Sequence, residues 1–356
     1  MNGATFGTKM FMFLKSNRAY LNQEEYKQKK EFKSFLWTLF NMRFDSYIIP
    51  PKKESSNEKE NYLMIASPTT SQINKKLINR TIITFTKWLI LEFAAFISIK
   101  YTVEVPEMPY QLRLLEFFTK GTPAITLPSI LSYLNILVLI YLSISLNYDI
   151  FTIFTTIFYR LFFHSSSVEE NHYSVLIKTH ILTTSEYVSI KEWIITFLFN
   201  TKHMFNEPWL ATSPREFWSV RWQLLLNEGF KELGYLPVRN LLIPYVPRKI
   251  ASMMGVLGAL GYSALIHEYI MTGIFDNVTG EHSFFFIIHG VIFVSWEAIF
   301  CRENKNENSK INSFLRWVLL VIINILVLPA FIEPSSRGPE RIDIPYARLQ
   351  HYLNSQ

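Results

Sequence analysis

The sequence predicts an all-α, polytopic helical membrane protein, with about six to eight spans around an intramembrane chamber. Of its 356 residues, 49% are hydrophobic and only 18% are charged, whereas a soluble domain carries about 25% charged residues. The apolar residues are also clustered, in runs that approach or exceed the roughly 18 residues that indicate a membrane span. A large soluble helical protein would need more polar helix faces than these runs offer.

The first part of the chain, residues 1–80, is polar and rich in lysine, which predicts a cytosolic or interfacial segment. A first span follows at about 82–101. It contains Lys87 and Glu92, which we expect to form a pair at an interface or facing the bundle. The next apolar block, 127–163, is too long for one straight crossing.

We therefore predict two spans in that block, with a break at Asn147–Asp149. Residues 188–200 are short and carry charge, which predicts an interfacial helix or a marginal span. Three further spans are predicted, at 251–273, 283–300 and 314–333. The chain is thus expected to comprise the N-terminal segment, a membrane-embedded domain at 81–335 and a polar C-terminal tail at 336–356.

Charge predicts the side of the membrane on which the connections lie. Residues 201–250 contain seven Lys or Arg and four Glu, a net charge of +3, and 301–313 contain three Lys or Arg. Residues 274–282 contain none. Because basic loops favour the cytosol, we place the first two connections there and 274–282, with its sequon Asn277-Val278-Thr279, on the far side.

Composition argues against several kinds of site. The overall charge of +6 is spread rather than gathered into a basic stripe with stacking aromatics, so nucleic-acid binding is not expected. A single cysteine, Cys301, excludes an internal disulfide framework and is interpreted as an inert packing residue. His164, His172 and His180 lack metal-ligand spacing, so we predict a solvated loop at 164–187 and no metal site.

The polar connection 201–250 contains a predicted amphipathic helix, from about Pro214 to Leu233. Ser213 and Glu216 have the spacing of a capping box, and proline is tolerated best at the first helical position between them. Gly234 and Pro237 provide a stop signal. Steps of three and four residues place polar side chains on one face: Glu216, Ser219, Gln223, Asn227 and Lys231.

The predicted span at 251–273 carries an ionisable residue on a stripe of small residues. The stripe is Gly255, Ala259, Ser263 and His267, with Gly258 and Gly261 beside it. Small residues let another helix approach closely, so His267 should face protein rather than lipid. An ionisable residue in a span is a candidate functional residue, and imidazole is a common general base near neutral pH. The alternative is a structural hydrogen bond, and His289 is a second candidate without the stripe.

Two short motifs resemble signature sequences of one enzyme family. Phe217-Trp218-Ser219-Val220-Arg221-Trp222-Gln223 is similar to F-W-x-x-R-W-(H/N), and Ser263-Ala264-Leu265-Ile266-His267-Glu268 is similar to S-x-x-x-H-E. Both belong to the wax-synthase branch of the membrane-bound O-acyltransferase (MBOAT) superfamily. Pro208-Trp209 and Leu233-Gly234-Tyr235 resemble the fungal versions. The resemblance extends from about residue 40 to about 335, and relatives usually carry additional spans before it, which suggests an N-terminally shortened chain.

The resemblance implies an acyltransferase that moves a fatty acyl or acetyl group from acyl-CoA to the hydroxyl of a lipophilic alcohol. The implied acceptors are a fatty alcohol, a glyceride, a sterol or a terpenoid. His267 would take the hydroxyl proton, and Gln223, which replaces the family's His or Asn, would offer its amide to the thioester or oxyanion. The other implied substrate-binding residues are Trp218, Arg221, Trp222, Asn227, Ser263 and Glu268.

The resemblance also predicts the setting of the reaction. Attack on a thioester needs a base and a polar group at the carbonyl oxygen, so acyl-CoA is the expected co-substrate and no cofactor is expected. The expected location is the endoplasmic-reticulum membrane. Arg221 and Trp222 have the alternative roles of a phosphate-facing or snorkelling charge and an interfacial aromatic. Two other functions stay open. The chain could be a polytopic transporter, or a catalytically inactive scaffold in which Gln223 reflects the loss of enzymatic activity.

Overall fold

The computed structural model describes residues 67–101, 103–164, 175–201, 203–275, 279–300 and 310–337. Within these ranges the chain is helical and contains no β-strand. The main helices are α1 (Thr70–Lys100), α2 (Tyr110–Lys120), α3 (Leu127–Phe162), α4 (Thr184–Phe199), α5 (Leu236–Leu242), α6 (Arg248–Phe275), α7 (Glu281–Phe300), α8 (Lys310–Val327) and α9 (Pro329–Arg337). The predictions for 1–66, His172, Asn277, Val278, Cys301 and 338–356 lie outside the described residues.

Five helical stretches of the described residues are long and apolar enough to cross a membrane. They are Thr70–Lys100, Leu127–Phe162, Arg248–Gly273, Glu281–Phe300 and Asn312–Arg337. The prediction of an all-α polytopic membrane protein is therefore confirmed. Helix α4 has 16 residues, fewer than the roughly 20 that a span needs, which favours the interfacial alternative for that segment.

The described residues belong to two compact units. The large unit comprises residues 94–139 and 205–337, and the small unit comprises residues 67–93 and 140–204. The boundaries between the units fall within α1 and α3, so each unit contains part of both helices. The candidate catalytic residues all belong to the large unit.

In the small unit, α3 runs without interruption through Asn147 and Asp149, so the predicted break is wrong. The Asp149 carboxylate is 1% exposed and accepts from two cations of α1, at 2.7 Å from Arg80 and 2.6 Å from Lys87. A buried carboxylate is tolerated when charged donors surround it. Lys87 therefore pairs with Asp149 and not with Glu92, the predicted partner.

The predicted solvated loop at 164–187 is more ordered than expected in its described part. His164 makes a 2.8 Å hydrogen bond between its Nε2 and the hydroxyl of Thr70, whereas His180 is exposed. A complete capping box formed by Thr183 and Glu186 begins α4. Helix α4 thus begins within the stretch that the sequence assigned to a loop.

The large unit has an aromatic core between α6, α7 and α9. Its buried members include Leu260 and Ala264 of α6, Phe285 and Phe286 of α7, and Ala330 of α9. At one end, two carboxylates with no exposed surface, Glu281 and Glu333, both bind Arg337. Glu333 also accepts from Arg113 of α2 at 2.5 Å and from the Tyr133 hydroxyl of α3 at 2.7 Å. These bonds hold the ends of α2, α7 and α9 together.

Candidate active site

The segment between Pro208 and Leu242, called here the connecting segment, is a series of short turns. It contains π-turns at Phe217–Arg221 and Lys231–Tyr235, single α-turns at Pro214–Glu216 and Asn227–Phe230, a 3₁₀ turn at Leu224–Leu226, and then α5. The prediction of one regular helix from Pro214 to Leu233 is therefore wrong. A break occurs at Trp222 and Gln223, and helical structure continues past Gly234 and Pro237.

The capping box predicted for Ser213 and Glu216 is only half formed. The Ser213 hydroxyl accepts from the backbone of Glu216 at 3.1 Å, and Pro214 occupies the first turn. The Glu216 carboxylate does not return to Ser213. Instead it accepts from the backbone and hydroxyl of Thr212, at 2.8 and 3.0 Å, and from Arg221 at 2.6 Å.

All three guanidinium nitrogens of Arg221 donate hydrogen bonds to groups within the protein. Its Nε and one terminal nitrogen donate to Glu216, and the other terminal nitrogen donates to the carbonyls of Asn206 and Glu207 at 3.0 and 3.2 Å. Its own carbonyl accepts from the Asn206 backbone at 2.9 Å. These bonds tie the π-turn to the preceding loop and give Arg221 a structural role. Its assignment to substrate binding stays a prediction.

The break in the connecting segment leaves Gln223 in the left-handed region, with φ 41° and ψ 52°. Such a conformation is uncommon for a residue other than glycine and marks a candidate functional position. Contacts between neighbouring side chains stabilise this backbone conformation of Gln223. The Trp222 ring stacks on Phe217 at 5.6 Å between centroids, and the Asn227 amide donates across the break to the Ser219 carbonyl at 2.8 Å.

The small residues of α6 pack against the connecting segment, as predicted for Gly255, Gly258 and Ala259. A Cβ added to Gly258 would lie 2.5 Å from a methyl of Val238, and one added to Gly255 would lie 2.8 Å from the Tyr235 ring. Gly261 has no neighbour within 4 Å of such an atom, so it does not take part. The stripe therefore positions α6 against the segment that carries Gln223.

His267 lies on α6 with its ring against protein, as predicted. Its centroid is 4.5 Å from that of Phe286, 5.7 Å from His282 and 5.6 Å from Phe331. Its Nδ1 donates to the Ser263 carbonyl at 2.9 Å. A carbonyl can only accept, so Nδ1 carries the hydrogen and the neutral ring keeps its lone pair on Nε2. Among the described residues, no hydrogen-bond partner meets that nitrogen.

His289 differs from His267 because both of its ring nitrogens are bonded. The Nδ1 donates to the Phe285 carbonyl at 2.8 Å, and the Nε2 lies 3.0 Å from the Asn324 side-chain amide. The residue is 2% exposed. A histidine with both nitrogens engaged fits a structural role, which is the alternative that the sequence left open for such residues.

Glu268 and Ser263 have structural contacts as well as predicted substrate roles. One Glu268 carboxylate oxygen accepts from the backbone of Ser283 at 2.9 Å, which satisfies a donor in the first turn of α7. Ser263 is 5% exposed and supplies the carbonyl that orients His267. The sequence assigned both residues to substrate binding, and that assignment stays a prediction.

The structure brings Trp218 and His267 to the same aromatic ring. The Trp218 centroid is 5.9 Å from that of Phe286, and the His267 centroid is 4.5 Å from the same ring. No hydrogen bond or ring contact joins Gln223 to His267 in the described ranges. Within those ranges there is also no group of three His, Cys, Asp or Glu side chains that could hold a metal ion.

His282 is the neighbouring residue that the sequence analysis missed. It was assigned to the polar connection 274–282, whereas α7 begins at Glu281. His282, Phe286 and His289 are spaced by four and three residues, which places them on one helix face. That spacing is the signal that could have identified it.

Comparison with known proteins gives matches to the part of the chain that holds the candidate residues. The sequence model described as "Membrane bound O-acyl transferase family" matches residues 201–288, which include Trp218, Gln223, His267 and His282. The chain is 35% identical over 157 residues to "Probable long-chain-alcohol O-fatty-acyltransferase 8" of Arabidopsis thaliana, covering 42% of this chain and 47% of that protein. It is 29% identical over 134 residues to "Probable long-chain-alcohol O-fatty-acyltransferase 7" of the same plant, covering 37% of each.

A third relative is the "Long-chain-alcohol O-fatty-acyltransferase" of Simmondsia chinensis, 35% identical over 88 residues, or 24% of this chain and 25% of that protein. The chain thus spans less than half the length of these curated relatives. All three are plant proteins, so the fungal type stays a prediction. Residues 201–288, which hold both motifs, are thus similar to the membrane-bound O-acyltransferase family and to long-chain-alcohol O-fatty-acyltransferases.

Proposed function

We propose that this chain is an acyltransferase that moves a fatty acyl or acetyl group from acyl-CoA to the hydroxyl of a lipophilic alcohol. The single observation that supports this most is the state of His267. Its Nδ1 is tied to Ser263, its ring is enclosed by aromatic side chains, and its Nε2 has no partner in the described residues. A fixed imidazole with one available lone pair is what a general base requires.

The reaction follows from that lone pair. The acceptor hydroxyl gives its proton to Nε2 of His267 while its oxygen attacks the thioester carbon. The carbon–sulfur bond then breaks, the ester is released, and the proton passes from His267 to the departing thiolate. Gln223 can donate its side-chain amide to the carbonyl oxygen, where negative charge develops. No bound cofactor is needed, since acyl-CoA brings the activated group.

The surroundings of His267 favour a lipophilic acceptor. Phe286, Phe331 and Trp218 line this part of the large unit, and apolar rings bind alkyl, sterol or terpenoid bodies better than water-soluble ones. The relatives are named for long-chain alcohols, which makes a fatty alcohol the first acceptor to test. The endoplasmic-reticulum membrane is the proposed location, because acyl-CoA reaches it from the cytosol and the alcohol reaches it within the bilayer.

The test is ester formation by membranes that contain the full chain. Labelled palmitoyl-CoA or acetyl-CoA is supplied with hexadecanol, diacylglycerol, cholesterol or farnesol, and esters are separated and counted. We expect at least one pair to give an ester, and His267→Ala to lower kcat by about 10²- to 10⁴-fold, the usual contribution of a general base. His180→Ala, at an exposed position, is the matched control and should keep wild-type activity.

One observation favours a second candidate, an inactive scaffold. Gln223 stands where the family signature has His or Asn, and its longer side chain starts from a left-handed backbone. Under this alternative the wild-type chain forms no ester with any pair, and Gln223→His restores activity from zero. Under the proposed function the wild-type chain is active, and His267→Ala removes that activity.

A further inference from the structure

Helix α2 connects two candidate membrane spans but is too short to be one itself. Its 11 residues measure about 16 Å along the helix axis, whereas the hydrocarbon core of a bilayer is about 30 Å thick. Pro109 precedes the helix, and Gly121 ends it in the left-handed conformation, with φ 74°. Helix α2 therefore begins and ends between α1 and α3 without crossing the membrane.

One side of α2 is anchored to the ends of two other helices of the large unit. The backbone N–H of Tyr110 donates to the carboxylate of Glu281, the first residue of α7, at 2.6 Å. Arg113 binds Glu333 of α9 at 2.5 Å. Helix α7 is a candidate span, so these bonds hold α2 at the level where that span begins.

The other two sides of α2 differ sharply in polarity. Leu112, Leu115 and Phe118, called here the apolar face, follow each other in steps of three and are 48%, 59% and 76% exposed. The remaining side is charged, because Glu116 and Lys120 pair across one turn at 2.7 Å. A short helix with an open apolar face beside a charged one is typical of helices that lie in a membrane interface.

The neighbouring segments of the chain indicate that lipid covers the apolar face. Phe96 near the end of α1, and Leu127 and Leu131 at the start of α3, are also exposed and belong to the same unit. Both helices are candidate spans, in which exposed apolar side chains contact lipid. Exposed apolar patches mark sites of protein or membrane interaction. The position of α2 between two lipid-contacting surfaces favours the membrane.

We propose that α2 is an interfacial helix whose apolar face inserts into the bilayer leaflet at the Glu281 end of α7. Its partner is the lipid of that leaflet, and the pair of Glu116 and Lys120 faces the headgroups and water. Since this pair carries no net charge, insertion depends on apolar area rather than on anionic lipid. The inference is independent of acyl transfer, because it concerns a surface that the proposed chemistry does not use.

The test places one spin label at a time on α2 of the full chain in phosphatidylcholine nanodiscs. Cys301→Ser removes the single native cysteine, and Phe118→Cys then carries the label on the apolar face. Lys120→Cys is the matched control, because the Lys120 side chain is 65% exposed on the charged side. Collisions of each label with oxygen, which concentrates in lipid, and with a water-soluble nickel chelate give its depth in the bilayer.

We expect the label of Phe118→Cys to lie about 5–10 Å inside the boundary between headgroups and acyl chains, the depth of interfacial helices. The label of Lys120→Cys should stay accessible to the nickel chelate. Unfolding temperatures are compared with that of the Cys301→Ser parent, and Leu115→Cys provides a second labelled position on the apolar face if Phe118→Cys does not fold.

Two outcomes would overturn the inference. Equal access of the chelate to both labels would place the apolar face in water. Protection of the Phe118→Cys label from oxygen and chelate alike would mean that protein covers this face, either another part of the chain or a second copy. Neither outcome bears on ester formation, so the proposed function would be unaffected.

Discussion

Gly234 of the connecting segment lies against the backbone of Ala259 in α6. A Cβ added to Gly234 would be 2.6 Å from the Ala259 Cα and 2.7 Å from the Gly258 carbonyl oxygen. Both neighbours are backbone atoms, which cannot turn aside as a flexible side chain can. This contact sets how closely the segment that carries Gln223 approaches the helix that carries His267.

The first prediction follows from that contact. Gly234→Ala should destabilise the protein by about 1–3 kcal/mol, the usual effect of overpacking a closely packed site. Gly261→Ala is the control, since nothing lies within 4 Å of its added Cβ and alanine is favoured over glycine in a helix. Unfolding temperature in detergent, followed by tryptophan fluorescence, measures both. Equal unfolding temperatures for the two variants would contradict the close approach.

The second prediction concerns the left-handed residue Gln223. Asn and His occur at positive φ several times more often than most residues, and β-branched residues are outliers there. Gln223→Asn should therefore leave the unfolding temperature unchanged or raise it, whereas Gln223→Val should lower stability by about 1–2 kcal/mol. The same two variants at Gln111, on regular α2, provide the comparison. A similar effect of valine at both positions would argue against a left-handed backbone at Gln223.

The third prediction is a pH dependence at Glu216. Burial by itself would raise the pKa of this carboxyl, but the hydrogen bonds from Thr212 and the bonds and charge of Arg221 outweigh burial and hold the pKa below its ordinary value of 4.5. The stabilisation is therefore present above the unfolded-state value and is lost as the pH falls through the lowered folded-state pKa. Glu216→Gln should lower the unfolding temperature at neutral pH and have little effect at acid pH.

The control for that experiment is Glu116→Gln. Glu116 pairs with Lys120, whose side chain is 65% exposed, and exposed pairs contribute little to stability. Its unfolding temperature should match that of the wild type across the pH range. If the difference in unfolding temperature between Glu216→Gln and wild type stayed constant down to acid pH, a role for the Glu216 charge would be refuted.

The fourth prediction tests the buried ion pairs of the small unit. Asp149→Asn leaves Arg80 and Lys87 without their counter-charge, and breaking a buried pair from one side costs about 3–5 kcal/mol. We expect a large fall in unfolding temperature or poor accumulation of the folded chain. Asn147→Ala, at an exposed position two residues away, should behave like wild type. A stable Asp149→Asn variant would mean that water or another anion neutralises the two cations.

Local patterns in the sequence identified some features and missed others for physical reasons. The Ser213 cap and the small-residue stripe on α6 depend on residues close together in the chain, and both were predicted. The continuity of α3 depends on Arg80 and Lys87, which come from α1 and neutralise Asp149. Spacing along one helix carries no information about such distant partners, so a charged residue in an apolar run was interpreted as a break.

The same limit applies to the candidate site. His267 could be identified because it continues the stripe of Ser263 and Ala259. The π-turn before Gln223 could not, because Arg221 is held by Glu216 and by carbonyls of the preceding loop. His282 was missed because the predicted start of α7, at residue 283, lay two residues after its observed start at Glu281. Its bond to the Phe331 carbonyl depends on α9, which is distant in sequence.

The contribution of α9 bears on how acceptor preference can evolve. The family match ends at residue 288, yet Phe331 lies beside both histidines and belongs to α9. Under the proposed function, mutation in α9 would reshape the space near His267 while residues 201–288 stay unchanged. Paralogues that differ mainly in α9 would then accept different lipophilic alcohols with the same general base.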